Sequence, residues 1–445
     1  MTACYGSPMR DQGLVRVVTS RGLAASIINC LIGAGIFAVP SDLAASAGVY
    51  APIAFVVCAI AIGSVAICWA EGGSRIPTSG GPYGYIETAL GPLAGYIAGT
   101  ILWFSNALGS AGIAAALANI VATLTPKAWT DPVHAATIVI AFAAITWQNL
   151  SGVSRGTRLV EATTLVKLIP IAVFLIAGVA ALHRANFVQP DHLSSAGIGR
   201  AVIIALFSLT GIEIALGVSG EVTHPARAIP RALAMGLIPV VLLYIAIQVV
   251  AQGVLGPALA LSRTPLADAM AAIHPALRWL ILAGSAVSMF GTVSSDVLST
   301  PRVLFALASE GMMPRLLGRV NPRTHSPNAA IICYAVLVAL LALSGSFAEL
   351  VVLSTLSVAV LYVLGSVAAW RLARRGVAEV GRPFGFRYLT AAMVIATAGM
   401  TGMIALGSRT EILGVLGLVA ASALVYQLTQ KGRKGIGSGQ PFRPW

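Results

Sequence analysis

The chain has 445 residues, of which 57% are hydrophobic and only 10% are charged, and its mean hydropathy is +0.88. Soluble proteins carry about 25% charged residues, so this composition excludes an ordinary soluble domain. Apolar runs of about 20 residues recur along the chain and are typical of transmembrane helices. The sequence therefore predicts an all-α polytopic membrane protein.

The net charge of +13 could indicate nucleic-acid binding, but the distribution of the basic residues argues against it. With twelve spans and the N-terminus inside, most of the 28 Lys and Arg residues fall in cytoplasmic segments, and Lys167 falls within a span. This is the positive-inside bias of membrane proteins rather than a nucleic-acid footprint. We expect an integral protein of the cytoplasmic (inner) membrane, with both termini cytoplasmic and no nucleic-acid partner.

Residues suited to catalysis or metal binding are not grouped in this sequence. The five cysteines are scattered, and the six histidines fall in loops or at span ends. No metal-ligand spacing, nucleophile–base pair or phosphate-binding loop is found. The sequence predicts no catalytic residue, no metal and no cofactor, and it favours a protein that is not an enzyme.

Twelve apolar segments are expected to span the membrane, and their even number puts both termini on one side. The tail from residue 430 to 445 is basic and Gly-rich, which is typical of disorder. The expected spans are 23–47, 52–72, 87–117, 133–150, 158–182, 197–219, 229–253, 277–308, 327–344, 349–370, 388–407 and 412–429.

The first span contains the most informative stretch. Gly33, Ala34 and Gly35 lie at its middle, with Pro40 beyond them, and they predict an interrupted helix. Unpaired backbone groups are costly in hydrocarbon, so such a break is tolerated where it lines a protected cavity. The break is therefore a candidate ligand site. The alternative is that the glycines only permit close helix packing.

Two connecting segments carry weaker predictions. Residues 75–85 hold Gly, Pro and aromatic residues and predict a tight inner loop, either a simple turn or a gating element. Residues 264–276 contain Leu266, Met270 and Ile273 and predict a short outer helix that caps the cavity.

The sixth span repeats the pattern of the first. Residues 205–217 combine a Ser/Thr/Gly interruption with an embedded carboxylate, Glu213. Two interrupted helices five spans apart indicate an inverted-repeat transporter. The predicted division is an N-terminal segment 1–22, a first repeat 23–182, a second repeat 183–370, two further helices in 371–429 and the tail 430–445.

Five stretches, in this order along the chain, resemble the amino acid–polyamine–organocation superfamily. They are GAGIF at 33–37, PTSGGPYGY at 77–85, FSLTGIE at 207–213, EVTHPARAIPR at 221–231 and RVLFALASEGMMP at 302–314. The resemblance covers about residues 20–330, and the span count extends it to the rest. It implies a LeuT-type fold, in which a 5+5 inverted repeat is followed by two C-terminal helices.

The resemblance also implies a substrate site at the two interruptions. The amides of Ala34, Gly35 and Ile36 stand at the positive end of a half-helix and would bind the substrate carboxylate. Carbonyls just before the first break and near the second would accept from the ammonium. The expected substrate-binding residues are Leu31, Ile32, Gly33, Ala34, Gly35, Ile36, Phe207, Ser208 and Thr210.

Phe207 is expected from the resemblance to cover the substrate and move as a gate. A single Phe in a span is otherwise a packing residue, and only its position before Ser-Leu-Thr-Gly favours the gate. Glu213 is a carboxylate within a span, which by default indicates a functional site. The resemblance implies proton sensing there, and a structural anchor between helices is the alternative.

Lys167 in the fifth span matches the helix 5 Lys of proton-coupled superfamily members, where it takes the place of a sodium ion. Its ammonium is expected to reach carbonyls near Asn29 and the side chains of Ser294 or Ser295. The alternative is snorkelling to the cytoplasmic face. Lys167 lies nine residues past Arg158, or about 13 Å along a helix, which disfavours snorkelling.

Asp296 in the eighth span departs from the superfamily pattern, which more often has a small polar residue there. The expected roles are a pairing with Lys167 or contact with a cationic substrate. The expected proton-coupling and gating residues are Lys167, Glu213, Asp296, Ser294 and Ser295.

Together these features predict a secondary transporter of amino acids, coupled to protons or to exchange of an amine or amino acid. Sodium coupling is not expected, and symport and antiport both stay open, as do cationic and neutral substrates. The alternative is an amino acid sensor without net transport, although no large signalling domain is seen. A membrane enzyme and a channel fit less well. The expected partners are the amino acid, protons and membrane lipid, and a homodimer is left open.

Overall fold

A computed structural model describes residues 18–33, 35–77, 82–150, 167–187, 195–216, 219, 222–309, 313–321, 326–379 and 381–435. Within these ranges the chain forms seventeen α-helices, and the one β-type pairing is an isolated bridge between Val18 and Val222. The helices are α1 (Ser20–Leu31), α2 (Gly35–Ala47), α3 (Ala51–Arg75), α4 (Pro82–Leu90), α5 (Pro92–Ala122), α6 (Thr130–Leu150), α7 (Leu168–Ala180), α8 (Ser195–Ser208), α9 (Ile212–Ala215), α10 (Pro225–Leu255), α11 (Pro265–Ile273), α12 (Pro275–Ser299), α13 (Pro301–Ser309), α14 (Asn328–Ser344), α15 (Phe347–Arg374), α16 (Leu389–Ala405) and α17 (Arg409–Gly435).

Eight helical segments of the described chain are long and apolar enough to cross a membrane. Three shorter apolar helices, α7, α14 and α16, accompany them. The all-helical, polytopic class predicted from the sequence is therefore confirmed. The eight segments are Gly35–Arg75, Pro92–Ala122, Lys127–Leu150, Ser195–Ile214, Pro225–Leu261, Pro275–Phe305, Phe347–Arg374 and Arg409–Gln430.

Local chemistry explains where several helices begin. Proline occupies the first turn of α5, α10, α11 and α12, where its missing N–H leaves no hydrogen bond unmade. α15 begins with a capping box, in which Ser346 and Glu349 satisfy each other's backbone amides. These signals allow the starts of the helices to be predicted from the sequence.

The structure corrects four boundaries. The third span does not begin at 87, because Gly91 with φ of 97° separates α4 from α5. The end of the expected loop 75–85 is helical, since α4 starts at Pro82. The eighth span divides before Pro301, and the tail is helical as far as Gly435. Parts of the expected loop (78–81), of span 5 (158–166) and of the tail (436–445) lie outside the described residues.

The long helix α5 stands at the centre of the bundle, where it packs against α15, α12, α14 and α6. α1 packs on α10, and α2 packs on α8. Large apolar side chains such as Ile140, Ile176 and Leu242 are exposed on the outer faces of their helices. In a chain that crosses a bilayer these faces contact lipid, so the polar groups inside the bundle must be satisfied by the protein.

The segment 264–276 forms the helix expected there. α11 packs against α12, α10, α2 and α7. Its side chains Leu266 and Met270 are buried against those neighbours, whereas its acidic residue Asp268 lies 3.8 Å from Arg278.

Candidate functional site

The first predicted break is present in the structure. α1 ends at Leu31, whose carbonyl accepts the Gly33 amide at 2.8 Å, and α2 begins at Gly35. The expected site residue Ala34 lies outside the described residues. The first amides of a helix have no partner within the helix, so the start of α2 presents N–H groups and the positive end of a helix dipole.

The second predicted break separates α8 from the single turn α9. Gly211 has φ of 118°, a left-handed conformation that favours glycine. Thr210 turns back on the end of α8, and its hydroxyl donates to the Phe207 carbonyl at 2.7 Å. The chain therefore leaves the helical path over residues 209–211 and resumes it at Ile212.

The two breaks touch each other. A Cβ atom on Gly35 would lie 3.2 Å from Ser208 Oγ, and one on Gly211 would lie 3.4 Å from the Cys30 carbonyl oxygen. A side chain at position 35 would therefore be tightly packed, whereas at position 211 the positive φ, and not the space, favours glycine. The breaks are far apart in sequence, so the fold brings them together and neither stretch of sequence predicts the contact.

A cavity of about 140 Å³ opens at this contact. Backbone and side chains of both breaks line it, together with residues from α5, α10, α12 and α15. Its wall is rich in hydroxyl and amide groups. The residues are Asn29, Cys30, Leu31, Gly33, Gly35, Ser105, Asn106, Gly109, Ser110, Ile113, Lys167, Phe207, Ser208, Thr210, Gly211, Glu213, Ile214, Tyr244, Ser288, Gly291, Thr292, Ser295, Asp296, Ser299 and Ser354.

Lys167 reaches the cavity from the residue that precedes α7. Its Nζ donates to the Asn29 carbonyl at 3.0 Å and to Asn29 Oδ1 at 2.6 Å. The side chain is buried and does not snorkel to the bundle surface. Lys167 thus links the start of α7, in the fifth predicted span, to α1 at Asn29, just before the first break.

Glu213 is buried and tied to its own break. Both carboxylate oxygens accept the Gly211 amide, each at 3.1 Å, and Oε2 accepts the Tyr362 hydroxyl at 2.8 Å. An ionised carboxylate only accepts hydrogen bonds, so these donors suit its charged form. The carboxylate caps the backbone that the second break leaves unpaired and links it to α15.

Asp296 lines the cavity from α12. Its Oδ2 accepts the Ser110 hydroxyl at 2.7 Å and the Tyr334 hydroxyl, and its Oδ1 accepts the Thr300 hydroxyl at 2.5 Å. Among the ion pairs of the described chain none includes Asp296. The expected pairing with Lys167 is therefore replaced by hydroxyl donors from three helical segments.

Phe207 lies at the end of α8, and its side chain forms part of the cavity wall. Its ring packs edge-on against Phe347, with centroids 6.2 Å apart. A Cβ atom on Gly109 would lie 3.4 Å from the ring, which shows how closely it approaches α5. The aromatic ring is therefore positioned between the second break and the helices opposite.

The remaining expected site residues differ in whether they line the cavity. Ile32, Ile36 and Ser294 are buried but do not form the cavity wall, whereas Ser295 does. The Ser208 and Ser294 hydroxyls have no hydrogen-bond partner within the described part of the chain. Within that same part, no cluster of His, Cys, Asp or Glu residues is arranged to hold a metal ion.

Sequence reasoning missed three tyrosines that hold the site together: Tyr244, Tyr334 and Tyr362. The Tyr244 hydroxyl donates to the Leu31 carbonyl at 2.9 Å. Because that carbonyl also accepts the Gly33 amide, both of its lone pairs are used. Leu31 therefore has no acceptor left for a substrate ammonium, contrary to expectation.

A signal for the opposite wall was present in the sequence. Ser288, Thr292 and Asp296 follow one another at intervals of four residues in an apolar span, as do Asn106 and Ser110. Side chains four residues apart share one helix face. Both series line the cavity, so the periodic polar residues mark its wall.

Comparison with known proteins gives a consistent set of relatives. A family model described as "Amino acid permease" matches residues 20–426. An uncharacterised transporter of Mycobacterium tuberculosis is 30% identical over 94% of this chain and 92% of its own length. The serine/threonine exchanger SteT of Bacillus subtilis is 27% identical over 83% of this chain and 86% of its own length. A methylthioribose transporter of the same organism is 25% identical over 72% of each chain.

Proposed function

This chain belongs to the amino acid permease family of the amino acid–polyamine–organocation superfamily, and from that premise we propose that it moves amino acids by alternating access. The family makes it an integral membrane transporter and not an enzyme. The observation that carries the proposal is the contact between the two helix breaks at a single polar cavity. We infer a twelve-helix, 5+5 inverted-repeat layout, with both termini on the cytoplasmic side of the inner membrane.

The substrate carboxylate binds at the start of α2 in this proposal. The amides of the first turn and the helix dipole both favour an anion there. For the ammonium, the carbonyl of Gly33 is the better acceptor, because its nearest donor is the Ser288 hydroxyl at 3.4 Å. The carbonyls of Leu31 and Phe207 each already accept two hydrogen bonds.

Alternating access in this proposal requires the two breaks to move relative to each other. Gly211 and Gly35 supply the close approach between the two interrupted helices, and the Phe207 ring forms part of the cavity wall close to α5. A substrate between these elements contacts both breaks at once. Its binding energy can therefore favour a closed arrangement, provided that it binds that arrangement more tightly than the open one.

Lys167 is the proposed coupling residue. Its ammonium bonds to α1 at Asn29, so any loss of its charge changes how firmly α1 is held beside the cavity. A buried Lys changes protonation readily because desolvation disfavours its charged form. We propose proton coupling or amino acid exchange through this contact, without sodium.

Flux through purified protein tests the proposal. The full chain in proteoliposomes should accumulate labelled amino acid when the vesicles carry a proton gradient or are preloaded with amino acid or amine. Lys167→Met should lower proton-driven uptake at least about tenfold, the size expected when a charged hydrogen-bonding group is removed. Arg263→Met, at the exposed end of the bundle before α11, is the matched control and should keep normal uptake.

Each outcome has one meaning. Full proton-driven uptake by Lys167→Met would contradict the coupling role. Saturable binding of amino acids with no flux under any gradient would contradict transport and support the sensor alternative. The absence of both binding and flux for all amino acids would overturn the proposed function.

A further inference from the structure

We propose that Asp296 selects the side chain of the substrate, and that the substrates are amino acids with a short side chain ending in a protonated amine. The inference rests on the proposed function, because it assumes that an amino acid occupies the cavity at the helix breaks. It goes further by assigning the substrate class, which the family leaves open between cationic and neutral amino acids.

The position of Asp296 relative to the first break supplies the geometry. On α12, Ser288 approaches the Gly33 carbonyl, and Thr292 would lie 3.6 Å from a Cβ atom on Gly33. Asp296 is on the same face four residues further on, which is about 6 Å along the helix axis. A substrate held at Gly33 and Gly35 by its α-carboxylate and α-ammonium therefore has room for a short side chain before Asp296.

The hydroxyls around Asp296 stabilise its ionised carboxylate, which can bind a cation. Ser110, Thr300 and Tyr334 donate to it, and Asn106 donates to the Thr300 oxygen at 3.2 Å. These three donors occupy three of the roughly four acceptor positions of an ionised carboxylate. One acceptor position is left on a group that already lines the cavity.

Charge balance within the cavity favours a cationic side chain over a neutral one. Among the described residues of the wall, Lys167 is the one basic residue, and Glu213 and Asp296 are the two acidic ones. Lys167 bonds to Asn29, and Glu213 is engaged by Gly211 and Tyr362. An unbalanced charge inside a membrane protein is costly. A zwitterionic amino acid leaves the balance unchanged, whereas one with a cationic side chain brings it to neutrality.

The size of the cavity restricts the side chain further. Its volume is about 140 Å³, and a cavity of about 150 Å³ accommodates a ligand the size of benzene. This volume disfavours long cationic chains, so the diamino acids to test first are those with two or three side-chain carbons. The probes that fit this description are 2,4-diaminobutyrate and ornithine.

Competition for uptake tests the inference. Wild-type protein in proteoliposomes should prefer 2,4-diaminobutyrate and ornithine over norvaline, which has a similar length and no side-chain charge, by at least about tenfold. Asp296→Asn should reduce that ratio at least about tenfold, since the neutral amide no longer balances a cation. Asp268→Asn, the same chemical change at a half-exposed residue of α11, is the control and should preserve the ratio.

A measurement on the unaltered chain keeps the inference testable if Asp296→Asn fails to fold. In detergent, diaminobutyrate should raise the melting temperature of the wild-type protein at a lower concentration than norvaline. Equal stabilisation by the two ligands, or a wild-type preference for norvaline, would overturn the inference while leaving amino acid transport intact. An equal loss of both substrates in Asp296→Asn would show a structural residue and would also overturn it. No uptake of any amino acid by the wild type would instead overturn the proposed function.

Discussion

The two helix breaks look alike in sequence and differ in how their backbone is satisfied. At the first break the backbone of Ile36, in the first turn of α2, is hydrogen-bonded to the neutral Tyr244 hydroxyl. At the second break the Gly211 amide is bonded to Glu213, which is in turn bonded to Tyr362. The first break therefore meets a neutral hydroxyl, whereas the second already contains its own carboxylate.

This difference assigns the breaks different tasks. A helix start that holds no carboxylate of its own favours a ligand carboxylate through its first amides and its dipole. A break capped by a buried carboxylate is held in one geometry and serves as a joint between α8 and α9. We therefore propose that the first break is the ligand site and that the second positions Phe207 and Ser208 against it.

The largest expected effect comes from filling the first break. Gly35→Val places a branched side chain where even a Cβ atom would lie 3.2 Å from Ser208 Oγ. It should separate the breaks, obstruct the amides and reduce uptake at least about 100-fold, since overpacking costs about 1–3 kcal/mol in addition to the lost carboxylate contacts. The measurement is the initial rate of amino acid uptake in proteoliposomes.

Gly63→Val is the matched control for that change. A Cβ atom on Gly63, within α3, would have no neighbour within 4 Å. Its uptake should stay within a factor of about three of wild type, as expected for a residue change of well under 1 kcal/mol. Normal uptake by Gly35→Val would show that the first break does not bind the substrate.

An intermediate effect, on stability, is expected at the second break. Glu213→Ala leaves the Gly211 amide and the Tyr362 hydroxyl without their common acceptor. The free energy of unfolding should fall by about 3 kcal/mol, because buried unsatisfied groups cost about 1–3 kcal/mol each. Thermal unfolding in detergent, followed by circular dichroism, measures the change. A variant that unfolds like wild type but loses its proton dependence would make Glu213 a proton carrier and not a cap.

The smallest effect is expected for Tyr362→Phe, which removes one of the donors to Glu213 and leaves the Gly211 amide bonded. The loss should be about 1.5 kcal/mol in the same unfolding experiment, the lower end of the range for one hydrogen bond to a charged group. Tyr388→Phe, at an exposed tyrosine before α16, should change nothing measurable. A Tyr362→Phe loss equal to that of Glu213→Ala would mean that the Tyr362 hydroxyl, and not the Gly211 amide, accounts for the stabilising effect of Glu213.

Local features of the fold were predictable from the sequence. Gly33 and Gly35 mark the first break, and the Ser-Leu-Thr-Gly sequence before Ile212 marks the second, because glycine and hydroxyl residues weaken a helix locally. Proline at the first turn marks the start of several helices. These signals lie within a few residues of the structure that they specify, so the pattern alone reveals them.

Partners that are distant in sequence were not predictable. Glu213 and Tyr362 are 149 residues apart, and Leu31 and Tyr244 are 213 apart. The neighbouring sequence of a buried tyrosine does not show whether its ring only packs or its hydroxyl also bonds to a distant helix break. The contact of Asp296 with hydroxyls in place of Lys167 also depends on which helices become neighbours. From the sequence, a pairing with Lys167 and contact with a cationic substrate were both open.

The contrast between the breaks can be tested directly at Cys30, a free cysteine in the cavity wall beside the first break. In a Cys4→Ser, Cys333→Ser variant, the remaining Cys58 and Cys68 are buried. We expect a transported amino acid to slow modification of Cys30 by a small methanethiosulfonate reagent at least about tenfold. The carboxamide of the same amino acid, which lacks the anion, should give no protection. Equal protection by the acid and the amide would contradict carboxylate binding at the first break.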